Sequence, residues 1–208
     1  MIIAVDGPSA AGKGTVARAI AQRLGYHFLD TGSLYRMVGL AMLKAGRPAD
    51  DEISSTAFAK ALDPAAVAQA ELRGEDVAAM ASKVAAVPAV RQALLEYQRQ
   101  FAQRKPGAVL DGRDIGTVVC PDADLKLFVT ASTEVRARRR FEELKSLGQK
   151  VHYESVLEDV MARDERDASR TAAPTRPADD AILIDTSELT PEEVLSAVME
   201  IIAEYRKG

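Results

Sequence analysis

Ile2-Ile3-Ala4-Val5-Asp6-Gly7-Pro8-Ser9-Ala10-Ala11-Gly12-Lys13-Gly14-Thr15 reads as a buried strand, a glycine-bearing loop and the first turn of a helix. Gly7 and Gly12 let the backbone curl so that several N–H groups point inward, and the helix that follows adds the positive end of its dipole. Lys13 supplies a mobile charge for β- and γ-phosphates. The usual phosphate-loop pattern wants Ser or Thr directly after the lysine. Here Gly14 intervenes and Thr15 comes one place later, which makes Thr15 the candidate phosphate or Mg²⁺-shell hydroxyl. All nine residues, Gly7, Pro8, Ser9, Ala10, Ala11, Gly12, Lys13, Gly14 and Thr15, are candidates for holding a nucleotide. The competing reading is an ordinary glycine-rich turn.

Outward from this loop, four more apolar runs read as strands: His27–Leu29, Ala108–Leu110, Leu125–Val129 and Ile182–Ile184. They are continuous rather than alternating, as parallel strands covered on both faces tend to be. Helical periodicity marks Lys13–Leu24, Leu34–Lys44, Val90–Arg104, Glu134–Leu147, Ser155–Asp167 and Pro191–Tyr205. The last carries Thr190, Pro191 and Glu193 as a capping signal. Alternation of this kind predicts an α/β fold, a doubly wound five-stranded parallel sheet flanked by helices. Residues 1–208 are read as one domain. A small, mostly helical insertion spans about 46–87, and about 134–180 forms a helical lid with a loop, Thr171–Asp180, whose Pro174 and Pro177 suit mobility.

Composition narrows the function. The 208 residues carry a net charge of −4, so no whole-protein basic field points to nucleic acid. Cys120 is the single cysteine and reads as a packing residue in a reducing compartment. His27 and His152 lie far apart without cysteine partners, which leaves no zinc signature. The N-terminus has no basic leader, and no window approaches the ~18 apolar residues of a membrane span. The expectation is a cytoplasmic protein without nucleic-acid or membrane partners.

Asp111 ends an apolar run, where an acid can orient Mg²⁺ or its waters; a strand-ending turn acid is the plainer alternative. Arg163, Arg166 and Arg170 follow i, i+3 and i+7 spacing, and Arg136, Arg139 and Arg140 form a second cluster. A polyphosphate between them would turn like-charge repulsion into attraction. A solvated face is the alternative, with Glu143 placed to pair with Arg139 and Asp167 with Arg163. The helices flank Leu144–His152 and could close over a nucleotide.

Together these motifs resemble the bacterial cytidylate kinases, P-loop nucleoside monophosphate kinases. The resemblance rests on Gly7–Thr15, Leu29-Asp30-Thr31-Gly32-Ser33-Leu34-Tyr35-Arg36, Ala81-Ser82-Lys83-Val84-Ala85-Ala86-Val87-Pro88-Ala89-Val90-Arg91, Asp111-Gly112-Arg113-Asp114-Ile115-Gly116-Thr117-Val118-Val119, Arg163-Asp164-Glu165-Arg166-Asp167 and Ile184-Asp185-Thr186-Ser187. It implies ATP-dependent phosphorylation of CMP and dCMP to CDP and dCDP, with Mg²⁺, in pyrimidine nucleotide metabolism; a monomer is expected. Arg36 and Arg113 would hold the CMP phosphate with Thr31 nearby, and Tyr35 would pack against the acceptor. Ser82, Arg91 and Asp114 would contact cytosine, with Arg170 close. Arg163 and Asp167 would reach the pentose, and Arg136, Arg139, Arg140 and Arg166 would line the transfer site. Lys13, Arg113, Arg136, Arg140, Arg163 and Arg166 are thus the candidate catalytic set, with Thr15 and Asp111 for the metal. Without the family pattern, Ser82 and Arg91 read as plain helix surface.

Cytosine's N4 amino group donates to a carboxylate such as Asp114. Uracil would set its O4 against the same acceptor, so CMP is expected over UMP. Two departures stand out. Ala10 replaces a common Gly, and the reading takes this position to need no positive φ. The Leu62–Ala81 stretch is short and Ala-rich where the family usually carries a small antiparallel sheet. Two rivals remain: a P-loop kinase for another nucleotide or a small-molecule alcohol, and a nucleotide-driven switch. The guanine-reading Asn-Lys-x-Asp motif of GTPase switches is missing.

Overall fold

Strands Ile2–Asp6 (β1), His27–Asp30 (β2), Ala108–Gly112 (β3), Leu125–Thr130 (β4) and Ile182–Asp185 (β5) form one sheet, ordered β2-β3-β1-β4-β5, in the computed structural model of the chain. β1 pairs in parallel with β3 on one side and β4 on the other, and β4 pairs in parallel with β5. The structure describes residues 1–64 and 67–206, so two positions of the 46–87 insertion lie outside the described residues. All five expected strands are present, each extended by one or two residues at its C-terminal end. Those extra residues include Asp6, Asp111 and Asp185.

The chain divides into two compact units, Met1–Leu29 with the chain from Ala102 onward, and Asp30–Phe101. The second is wider than the 46–87 insertion. In the first, Ile3 and Val5 of β1 and Leu127 and Val129 of β4 are buried against Val16 and Ile20 of α1 (Lys13–Leu24). Val194, Val198 and Ile202 of Pro191–Tyr205 join the same core. Each such aliphatic contributes about 1.5–3 kcal/mol when taken fully from water. The predicted capping box is formed: Glu193 N donates to Thr190 Oγ1 and Thr190 N to Glu193 Oε2.

β5 departs from expectation. Only Ile184 is buried; Leu183 is 63% exposed, because β5 has a neighbour on one side only. The continuous apolar run that signals a doubly covered strand here marks an edge.

The second unit contains α2 (Thr31–Lys44), α3 (Glu52–Lys60), a short turn at Gln69–Arg73, α4 (Glu75–Val84) and α5 (Pro88–Ala102). Leu34, Val38, Met42, Val84, Val90 and Leu94 form its core. Beyond Asp30, the last residue of β2, no strand occurs among its described residues. α2 begins three residues before the expected Leu34, because Asp30 caps it by accepting from Ser33 N at 3.2 Å. α5 begins at Pro88 rather than Val90, with proline at its first position.

The remaining helices are α6 (Thr133–Ser146), α7 (Tyr153–Ala168) and α8 (Pro191–Tyr205). The rings of Phe141 and Tyr153 meet edge to face, with centroids 6.0 Å apart, and fasten α6 to α7. The Thr171–Asp180 loop is tethered twice: Thr175 N donates to Asp167 O at 2.8 Å, and Lys126 Nζ pairs with Asp180 at 2.8 Å.

Candidate active site

The glycine loop leaves β1 where the sheet order reverses, with β3 on one side and β4 on the other. In open α/β sheets that crevice is where ligands bind. Gly7 is required by space: a Cβ there would lie 1.9 Å from the Val129 carbonyl oxygen. Ala10 has φ 59°, so the expectation that this position needs no positive φ is wrong; the loop holds an alanine in the left-handed region.

Lys13 is buried, its Nζ 3.4 Å from Pro8 O and 3.7 Å from Asp111 Oδ1. Gly14 explains the shift of the hydroxyl to Thr15. A Cβ on Gly14 would stand 2.9 Å from Asp111 Oδ2, so a side chain here would press on the carboxylate that faces Lys13. Thr15 is exposed on the first turn of α1. A hydroxyl and a carboxylate are hard oxygen donors of the kind Mg²⁺ takes alongside a nucleotide's own oxygens. Among the described residues no group of three or more acids, histidines or cysteines could hold a metal unaided, which a nucleotide-borne Mg²⁺ does not require.

Asp6 is a residue that sequence reading passed over. Its carboxylate accepts from Ile115 N at 2.8 Å and Gly116 N at 2.7 Å. Burial pushes its carboxyl up to about 7; the two N–H bonds oppose this, and Asp114 and Asp111 add to it. An acid closing the strand before a phosphate loop was the available signal.

Asp167 gathers the arginines. It is buried and pairs with Arg113 Nε at 3.1 Å, with Arg163 Nε at 3.9 Å, and with Arg170, whose NH2 also hydrogen-bonds it. Burial alone would raise its carboxyl, but Arg113, Arg170 and Arg163 outweigh it and hold it below the ordinary carboxylate range. Arg170 lies just beyond the end of α7 and still reaches Asp167. Arg166 is exposed on α7.

The upstream cluster divides. Arg136 is buried and donates to Ala131 O, Ser9 O and Thr133 Oγ1, and pairs with Asp164 at 2.6 Å. Its guanidinium thereby ties α6 to the glycine loop and to α7. Arg139 donates to Thr186 Oγ1 at 2.9 Å and Thr186 O at 2.7 Å, while Thr186 Oγ1 donates to Ala11 O. The expected Arg139–Glu143 pair is corrected: Glu143 takes Arg140 instead, at 2.6 Å, because Arg139 turns toward the loop after β5.

In the second unit Thr31 and Ser82 are buried, on α2 and α4, and Arg36 is half-buried on α2. Arg91 of α5 stands 5.5 Å from the Tyr35 ring centroid and donates to Ala85 O at 3.1 Å. Tyr35 and Arg91 are therefore neighbours, which spacing alone did not reveal. In the first unit Arg113 and Asp114 follow β3 directly, and Asp114 is buried.

A glycine loop at the end of the central strand, its lysine facing an acid on the adjoining strand, defines a P-loop phosphotransferase fold. A shikimate kinase from Bacteroides thetaiotaomicron shares the fold at TM-score 0.52 and 14% identity, with 98% of each chain covered. The family model for cytidylate kinase matches residues 3–204. A cytidylate kinase of Rhodospirillum rubrum is 52% identical over 98% of this chain and 97% of its own. One of Brucella ovis is 54% identical over 97% and 92%. The chain belongs to the cytidylate kinase family.

Proposed function

We propose that the protein transfers the γ-phosphoryl group of ATP to CMP and dCMP, yielding ADP with CDP or dCDP. The observation that carries this is the Lys13–Asp111 pair set over the glycine loop, in a chain of the cytidylate kinase family. The backbone N–H groups of Gly7–Thr15 and the Lys13 ammonium hold the donor phosphates. Thr15 and Asp111 would hold Mg²⁺, which when bound neutralises charge on the donor phosphates.

Chemically, an acceptor phosphate oxygen forms the new P–O bond in line as the bond to the β-phosphate oxygen breaks, and that electron pair leaves with ADP. The acceptor's second phosphate pKa is near ~6, so its oxygen is already anionic and no base is needed. Positioning and charge stabilisation suffice. Arg113 and Arg36 are assigned to the acceptor phosphate, with Thr31 and Tyr35 beside it. Asp114, Ser82 and Arg91 are assigned to cytosine, with Arg170 close by, and Asp167 and Arg163 to the pentose. Arg140 and Arg166 follow the migrating charge, while Arg136 fixes the loop that carries it. The reading includes a monomer in the cytoplasm, where a buried Cys120 outside any disulfide suits a reducing milieu.

An ADP-release assay across CMP, dCMP, UMP, AMP, GMP and shikimate tests this. CMP and dCMP should turn over best; best turnover with an alcohol or another nucleotide would overturn it. Arg36→Ala should raise the KM for CMP, whereas Lys13→Ala should impair transfer to every acceptor.

A further inference from the structure

Asp6 and the residues that follow β3 are far apart in sequence and joined in space. The wide turn Ile115–Val119 opens with two N–H groups, and a helical start leaves such donors without partners of its own. The residue placed to cap them locally is Asp114, yet its side chain makes no capping bond. Its carbonyl accepts instead from Val118 N at 2.9 Å and Val119 N at 3.1 Å. The cap comes from Asp6, 109 and 110 positions away from the two donors. The turn is also held from the other side: a Cβ on Gly116 would lie 3.1 Å from Lys126 Cδ and 3.4 Å from Asp6 Oδ2. Asp6 directly precedes Gly7, so one residue both launches the phosphate loop and anchors the segment carrying Arg113 and Asp114.

We propose that Asp6 is a positioning residue for acceptor recognition: its carboxylate, by binding Ile115 N and Gly116 N, fixes the turn that presents Asp114 to cytosine. The inference rests on the assignment of Asp114 to the acceptor base.

Asp6→Asn keeps the size, retains one acceptor and turns a donor toward the second N–H. In a folded Asp6→Asn protein, the KM for CMP should rise about 10-fold or more. The KM for ATP should change by less than about threefold. Preference for CMP over UMP should shrink, and the Ile115 and Gly116 amides should lose protection from hydrogen exchange. Gly116→Ala, which pushes the turn from the Lys126 side, should shift CMP use and base preference the same way, and it decides the matter if Asp6→Asn does not fold. Equal losses with CMP and UMP, or a lowered kcat at unchanged KM for CMP, would reduce Asp6 to a scaffold residue and overturn the proposal. If the wild-type protein shows no preference for CMP, the acceptor assignment itself fails. Amide protection still separates the two: unchanged exchange in Asp6→Asn would show that Asp6 does not hold the turn.

Discussion

Ala10 sits at φ 59° in a loop whose neighbours Gly7 and Gly12 also have positive φ. A Cβ in the left-handed region costs about 1–2 kcal/mol. Ala10→Gly should therefore stabilise the protein by about 1 kcal/mol, offset in part by the freedom glycine gains when unfolded; a thermal melt checks this. Asp167 yields a pH-dependent prediction. Its carboxyl is held below its ordinary value, so its stabilisation is present above the unfolded pKa and is lost as pH falls through the folded one. Removing the charge leaves Arg113 and Arg170 facing a neutral amide. Asp167→Asn should cost about 3–5 kcal/mol at neutral pH, with the gap to wild type closing in acid. Urea unfolding at several pH values reads this directly.

The boundaries of α1 and α8 were legible to the residue, because glycines and a capping box mark where each begins or ends. The start of α2 was misplaced by one turn, although Asp30 and Ser33 carried a cap signature. The exposure of β5 was not legible, since an apolar run does not say how many neighbours a strand has. In the site, the loop and Asp111 were visible as motifs. What arginines do depends on partners distant in sequence: Arg139 on Thr186, Arg136 on Asp164, Arg113 on Asp167. Spacing along one helix records none of these. The contact between α2 and α4 is also hidden from spacing. A Cβ on Gly39 would lie 2.9 Å from Ala81 N, backbone that cannot move aside alone. Gly39→Ala should force the two helices apart and cost about 1–3 kcal/mol, measurable as a lowered urea midpoint.

Over the whole molecule the charge is −4, yet the ligands are polyanions. Attraction must be local, and on the proposed function Lys13, buried in the first unit, would supply it. At about 100 times its dissociation constant, ATP should add about 2.7 kcal/mol of stability. For a chain of this size that is a rise in Tm of roughly 5–10 °C, and Lys13→Ala should lose most of it. The sheet's outer border bears on handling. β5 offers unpaired backbone groups beside Ile182 and Leu183, and that is a template on which a second copy could add a strand. Asp179 and Asp185 bracket it, so mutual repulsion guards the edge at neutral pH and fades in acid or strong salt. Concentrated stocks should turn cloudy first under those conditions, and Leu183→Lys should keep them clear.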